Sequence, residues 1–136
     1  MSPPIFADAF YFLALLSPRD QDHDRAVELG RERTGTLVTT EAVLVEVGDG
    51  LAAPQDRLTT AAYIRRLWQD PRVTVVAMDH ELLGRALTLY ESRADKDWGL
   101  TDCISFTVMS DAGSQEALTG DAHFEQAGFR ILFPRR

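Results

Sequence analysis

Leu100-Thr101-Asp102-Cys103-Ile104-Ser105-Phe106 is the stretch on which the reading of this chain turns. An acid opening an apolar helix is ordinary, because the helix macrodipole favours negative charge in the first turn. Three other acids give it meaning. Pro4-Ile5-Phe6-Ala7-Asp8 reads as a strand ending on an acid, and Leu118-Thr119-Gly120-Asp121 as a late strand ending the same way. Glu46 interrupts the apolar run Ala42-Val43-Leu44-Val45 and Val47. Each acid has an adequate ordinary reading: Asp8 as a turn into a helix, Glu46 as the polar edge of a helix, Asp121 as an N-cap. Together, four carboxylates at the ends of elements in an alternating α/β chain point to a divalent-metal site.

Outward from these acids the elements follow in order. Ala9 to Leu16 is a helix apolar nearly all round, so it is either buried on two sides or offers a face to a partner. Ser17-Pro18-Arg19-Asp20 breaks it, and Gln21 to Arg33 forms a polar helix with Ala26, Val27 and Leu29 inward. Arg25, Arg31 and Arg33 along it are either a solvated face or a phosphate-facing rim. Thr36 to Thr39 is a strand, Thr39 or Thr40 caps a helix from Glu41 to Leu51, and Pro54 and Gln55 open another. In that helix Leu58, Ala61, Ile64, Leu67 and Trp68 recur at helical spacing until Asp70-Pro71 stops it. Val73 to Val76 is a β-branched strand. Asp79 caps a helix whose buried face is Leu82, Leu83, Ala86, Leu87 and Tyr90. Ser92 to Gly99 is a charged loop, and Thr101 is the expected N-cap of the helix through about Asp111, ended by Gly113. Glu116 to Thr119 is a strand, Asp121 to Gln126 a short helix, and Phe129 to Phe133 a last strand. Strands alternating with helices predict an α/β fold, a mainly parallel sheet with helices on both faces, over a single domain spanning 1–136. Ligands bind such sheets at the carboxyl ends of the strands, where Asp8 and Asp121 would lie.

Composition bounds the possibilities. A 136-residue chain that is 45% hydrophobic suits one globular domain with a real core. No apolar run approaches the ~18 residues of a membrane span, and no secretory signal is visible, so a cytoplasmic protein without membrane contact is expected. The single cysteine, Cys103, forms no internal disulfide and is expected to pack as a small hydrophobe. The net charge of -7 counts against binding long duplexes. Lys96 is the only lysine among 14 basic residues, and arginines suit bidentate contact with phosphate.

The chemistry follows from the acids. Carboxylates within ~4–6 Å of one another repel and raise the pKa of some members. Mg²⁺ or Mn²⁺ relieves the repulsion and can activate a water for attack on phosphorus, so no nucleophilic side chain is required. Thr119 could orient a ligand through its hydroxyl, or be an ordinary strand threonine. His23, His80 and His123 show no metal-ligand spacing with one another and read as structural. Asp95 and Asp97 read as a solvated loop or as flanking the site.

Four segments in order, Phe6-Ala7-Asp8, Thr39-Thr40 through Glu46, Asp95-Lys96-Asp97-Trp98-Gly99-Leu100-Thr101-Asp102-Cys103-Ile104-Ser105-Phe106, and Leu118-Thr119-Gly120-Asp121-Ala122-His123-Phe124 with Gly128-Phe129, give the chain a further likeness. It resembles the PIN domain family, and within it the VapC-type toxins. That resemblance covers nearly the whole length and implies a PIN-like, Rossmann-like fold with catalytic and metal-binding acids at Asp8, Glu46, Asp102 and Asp121. It also implies Mg²⁺- or Mn²⁺-dependent cleavage of RNA, structured RNA such as tRNA included, inhibition by a cognate antitoxin, and homodimerisation. Competing readings are a non-catalytic PIN-like binding module, a receiver-like signalling domain and an aspartyl phosphatase. The receiver needs a lysine after a late strand, where none stands, and the phosphatase a second acid two residues past Asp8, where Phe10 stands.

Overall fold

The computed structural model describes residues 2–136. Five short strands, β1 (Ile5–Ala7), β2 (Leu37–Thr40), β3 (Val73–Val76), β4 (Glu116–Leu118) and β5 (Arg130–Ile131), form one sheet in the order β3-β2-β1-β4-β5. Every pairing is parallel. All four residues of β2 are buried, which a half-solvated strand cannot achieve, since successive side chains point to opposite faces. The helices α1 (Ala9–Leu16), α2 (His23–Glu32), α3 (Glu41–Gly50), α4 (Arg57–Gln69), α5 (His80–Ser92), α6 (Leu100–Ala112) and α7 (Ala122–Gln126) flank the sheet, with a 3₁₀ turn at Pro54–Asp56 before α4. The strand order reverses direction between β1 and β4, so the crevice at their carboxyl ends is the topological switch point of the sheet. Asp8 follows β1 directly, and Asp121 lies three residues beyond β4. None of the helices is long and apolar enough to cross a membrane among the described residues.

Local sequence explains the element ends. Thr40 caps α3 by accepting a hydrogen bond from the Val43 N–H at 3.0 Å, and Asp79 caps α5 by accepting one from Leu82 at 2.8 Å. Gly113 ends α6 in the left-handed region, at φ 68°, where a side chain would be strained. The N-cap of α6 is Gly99 rather than the expected Thr101, because Asp102 reaches back and accepts from the Gly99 N–H at 3.0 Å. α6 is the central helix: Cys103 through Met109 are all buried.

The structure settles which apolar faces are covered, and corrects the expectation for α5. α1 needs no outside partner: Ala9, Tyr11, Phe12 and Ala14 are buried, and Phe10, Leu13, Leu15 and Leu16 pack against the core. α2, α3 and Phe133, whose ring centroid lies 5.0 Å from that of Phe10, supply its cover. The spacing in α4 does not mark a buried face throughout, since Leu58 is 87% and Trp68 59% exposed. On α5 only Leu82 and Ala86 are buried, while Leu83, Leu87 and Tyr90 lie open. The hydrophobic period reports an apolar stripe, not what covers it.

Candidate metal centre

The site forms where α6, α7 and the loop after β4 meet the end of β1. Phe106 fixes α6 in the core, its ring centroid 5.0 Å from both Trp98 and Phe124. Phe124 is fully buried and so pins the short α7 behind Asp121. These anchors bring Asp102, Asp121 and His123 together: one ligand atom from each lies within 4.8 Å of the others.

Hydrogen bonds set the carboxylates. Asp102 Oδ2 accepts from Gly99 N–H at 3.0 Å and lies 2.9 Å from His123 Nδ1. Asp121 Oδ1 caps α7 by accepting from the His123 N–H at 2.8 Å. Thr119 is fully buried; its hydroxyl donates to Asp8 Oδ2 at 2.8 Å and accepts from the Asp121 N–H at 3.1 Å, joining the acids of β1 and β4 through one side chain. It is therefore more than a strand threonine. Thr39, also buried, donates to the Ala7 carbonyl at 2.8 Å and ties the end of β1 to β2 just before Asp8.

Asp8 is half-buried behind Thr119, and its pKa is pushed up to about 7. Burial is the main cause, with the Glu46 and Asp102 charges adding to it, against the lowering effect of the Thr119 and Ala9 hydrogen bonds. Glu46, on the exposed side of α3, is also pushed up, first by partial desolvation and then by Asp102, Asp121 and Asp49. Asp8 and Glu46 thus stand outside the tight group of three but share its field. Among the described residues no lysine or arginine pairs with any of the four acids. An acidic cluster in which burial, and after it mutual repulsion, raises two members, with no lysine or arginine to offset it, suits a hard divalent cation with oxygen ligands.

His123 corrects the expectation that all three histidines are structural. The one available signal was its position two residues after Asp121; its partner Asp102 is 21 residues upstream. His23 is structural, its Nδ1 lying 2.8 Å from the Ala14 carbonyl. Arg33 lies with Pro3, Pro4 and Gln115 where the strands begin, on the opposite edge of the sheet from the acids, and Arg25 is paired with Glu28. Asp95 is held by Arg93 through two hydrogen bonds of 3.0 Å, while Arg93 stacks over the Trp98 ring, 4.8 Å from its centroid. Cys103 is fully buried, as expected of a small hydrophobe.

Fold and acids together define a class. The sequence profile of the PIN domain matches residues 5–130, and the chain belongs to that family. Within it the chain is structurally close to the VapC-type toxins. It is similar to the crystal structure of VapC20 from Mycobacterium tuberculosis, a toxin that cleaves the sarcin–ricin loop. The identity is 27%, the match covers 92% of this chain and 95% of that one, and the TM-score is 0.82. VapBC2 from Rickettsia felis, crystallised with a DNA fragment from its promoter, shares the fold at 11% identity. There the match covers 93% of this chain and 96% of that one, with a TM-score of 0.63. Comparison with curated protein sequences finds no match. The VapC-like fold with an acidic and histidine cluster at Asp102, Asp121 and His123 is consistent with a metal-dependent nuclease of the toxin–antitoxin kind.

Proposed function

We propose that this protein is an endoribonuclease that hydrolyses RNA phosphodiester bonds with Mg²⁺ or Mn²⁺, acting as the toxin of a VapBC-type pair. The observation that carries the proposal is the meeting of Asp102, Asp121 and His123 at the switch point of the sheet, with Asp8 tied in through Thr119. Asp8, Asp102, Asp121 and Glu46 hold the ion, Glu46 from the open side. When bound, a divalent ion supplies a water of lowered pKa and positive charge opposite the developing charge on phosphate. The chain's own work is to place the oxygens. Thr119 sets Asp8 and, through its backbone bond, Asp121; Gly99 and the start of α6 set Asp102. The raised pKa of Asp8 means that metal and proton compete for this carboxylate, so metal binding releases protons.

The substrate is a structured RNA, and the likeness to VapC20 puts the sarcin–ricin loop beside tRNA as the first to try. A cognate antitoxin and a second copy of the chain are the expected protein partners. In support, α3 to α5 leave Val45, Trp68, Leu83, Leu87 and Tyr90 exposed, more apolar surface than solvent favours. A cytoplasmic location fits these partners, and residues 1–136 act as one domain.

The test is cleavage of a panel of structured RNAs, including tRNAs and a sarcin–ricin loop oligonucleotide, in Mn²⁺ or EDTA. Wild type is run beside Asp8→Asn. Cutting that requires metal and is lost in the variant supports the proposal. Metal binding without cutting by folded protein free of any inhibitor would favour a non-catalytic PIN-like module instead.

A further inference from the structure

His123 lies in the tight group with Asp102 and Asp121, and its hydrogen bonds decide what it does there. Its place is fixed on both sides: its own N–H is taken up by Asp121, and the next residue, Phe124, is buried against Phe6 and Phe106. The ring therefore meets Asp102 from a fixed helix turn. A carboxylate only accepts, so the proton in the 2.9 Å contact with Asp102 Oδ2 sits on Nδ1. With Nδ1 protonated only Nε2 of the ring keeps a lone pair, and Nδ1, the nitrogen that meets Asp102 and lies 3.6 Å from Asp121 Oδ1, has none to give an ion. Oδ2 already accepts from Gly99, so two donors from different elements converge on one oxygen of Asp102. Oδ1 receives neither.

We propose that His123 is a positioning residue that, by donating from Nδ1 to Asp102 Oδ2, fixes the carboxylate with Oδ1 as its oxygen for the divalent ion. The proposal rests on the metal-dependent reading of the same site and adds how Asp102 is oriented. Outer hydrogen-bond partners of this kind are worth about 10–100-fold in metal affinity. Asparagine can return a donor to the same place, because its Nδ2 and the imidazole Nδ1 sit at the same number of bonds from Cα. Alanine cannot. His123 is only partly buried, with 31% of its side chain exposed, so both variants are expected to fold, which their circular-dichroism melts would check.

The experiment is an electron paramagnetic resonance titration of metal-free protein with Mn²⁺, for wild type, His123→Ala and His123→Asn. The expected result is Mn²⁺ binding weakened about 10–100-fold in His123→Ala and mostly restored in His123→Asn. Pulsed spectra of the wild-type complex should show no nitrogen bound directly to Mn²⁺. Unchanged affinity in His123→Ala, no recovery in His123→Asn, or a directly bound imidazole nitrogen would each overturn the proposal. Wild-type protein that binds no Mn²⁺ would bring down the metal reading itself, an outcome distinct from intact binding that ignores His123.

Discussion

The metal-free protein should be less stable at neutral pH than in mild acid, and Asp8 should be the largest single cause. Its carboxyl titrates near 3.8 in the unfolded chain and near 7 in the folded one. Between these values the native state holds a proton that the unfolded state has released, so unfolding loses protons and stability falls as pH rises. Well below pH 3.8 both states are protonated and Asp8 contributes nothing. Above pH 7 both are ionised and the full penalty stands. Each pKa unit is worth about 1.4 kcal/mol, and the interval from 3.8 to about 7 spans roughly three. Solvent at the partly open edge of the carboxyl screens some of this, leaving about 2–4 kcal/mol. Asp8→Asn keeps an acceptor for the Thr119 hydroxyl and removes the charge, so in EDTA it should be more stable than wild type by about that amount at pH 8 and close to it at pH 4. Urea unfolding of both proteins at pH 4 to 8 measures the difference directly, and titrating groups outside the acidic cluster cancel. Parallel pH profiles, or a wild type more stable than the variant at pH 8, would refute the reasoning.

Other perturbations test neighbouring parts of the structure. Saturating Mn²⁺ at 100 times its dissociation constant should stabilise wild type by about 2.7 kcal/mol, and EDTA should reverse the gain in a thermal melt; Asp102→Asn should respond far less. Gly120→Ala should cost about 1–3 kcal/mol in urea unfolding, because a Cβ there would lie 2.7 Å from both Phe10 Cζ and the Pro134 carbonyl oxygen. The shift needed to relieve that clash would move the Thr119–Asp121 turn, so Mn²⁺ affinity should fall with it. Arg136→Ala leaves the buried Asp22 without the guanidinium that sits 2.5 Å and 3.2 Å from its two oxygens, and should lower the urea midpoint in the same measurement.

Much of this architecture is written locally. Every expected strand and helix exists within a few residues, because Thr40, Asp79, Asp121 and Gly113 act at their own positions, as caps or stops. The two strand-end acids were legible because β1 and β4 are short and apolar, and their neighbourhood follows once the sheet is parallel. What the sequence hid depends on distant partners. The composition of α1 left internal and external cover equally open, and the cover is internal, with Phe133 arriving from the far end of the chain. Leu83, Leu87 and Tyr90 carry the same periodicity as Leu82 and Ala86, and only the placement of α6 decides which set is buried. His123 was missed because its pairing with Asp102 joins two helices that local spacing does not connect. Thr119 could be named but not given a role until Asp8 was seen beside it.

The most direct test of the central claim is a crystal structure of the protein soaked in Mn²⁺, read by anomalous scattering. A peak is expected at the crevice between β1 and β4, about 2.1 Å from carboxylate oxygens of Asp8 and Asp102, with Asp121 and Glu46 close by. Asp102 should bind through Oδ1 while Oδ2 keeps its bonds to Gly99 and His123. A well-ordered crystal with no peak in that crevice, or with Mn²⁺ held only elsewhere, would contradict it.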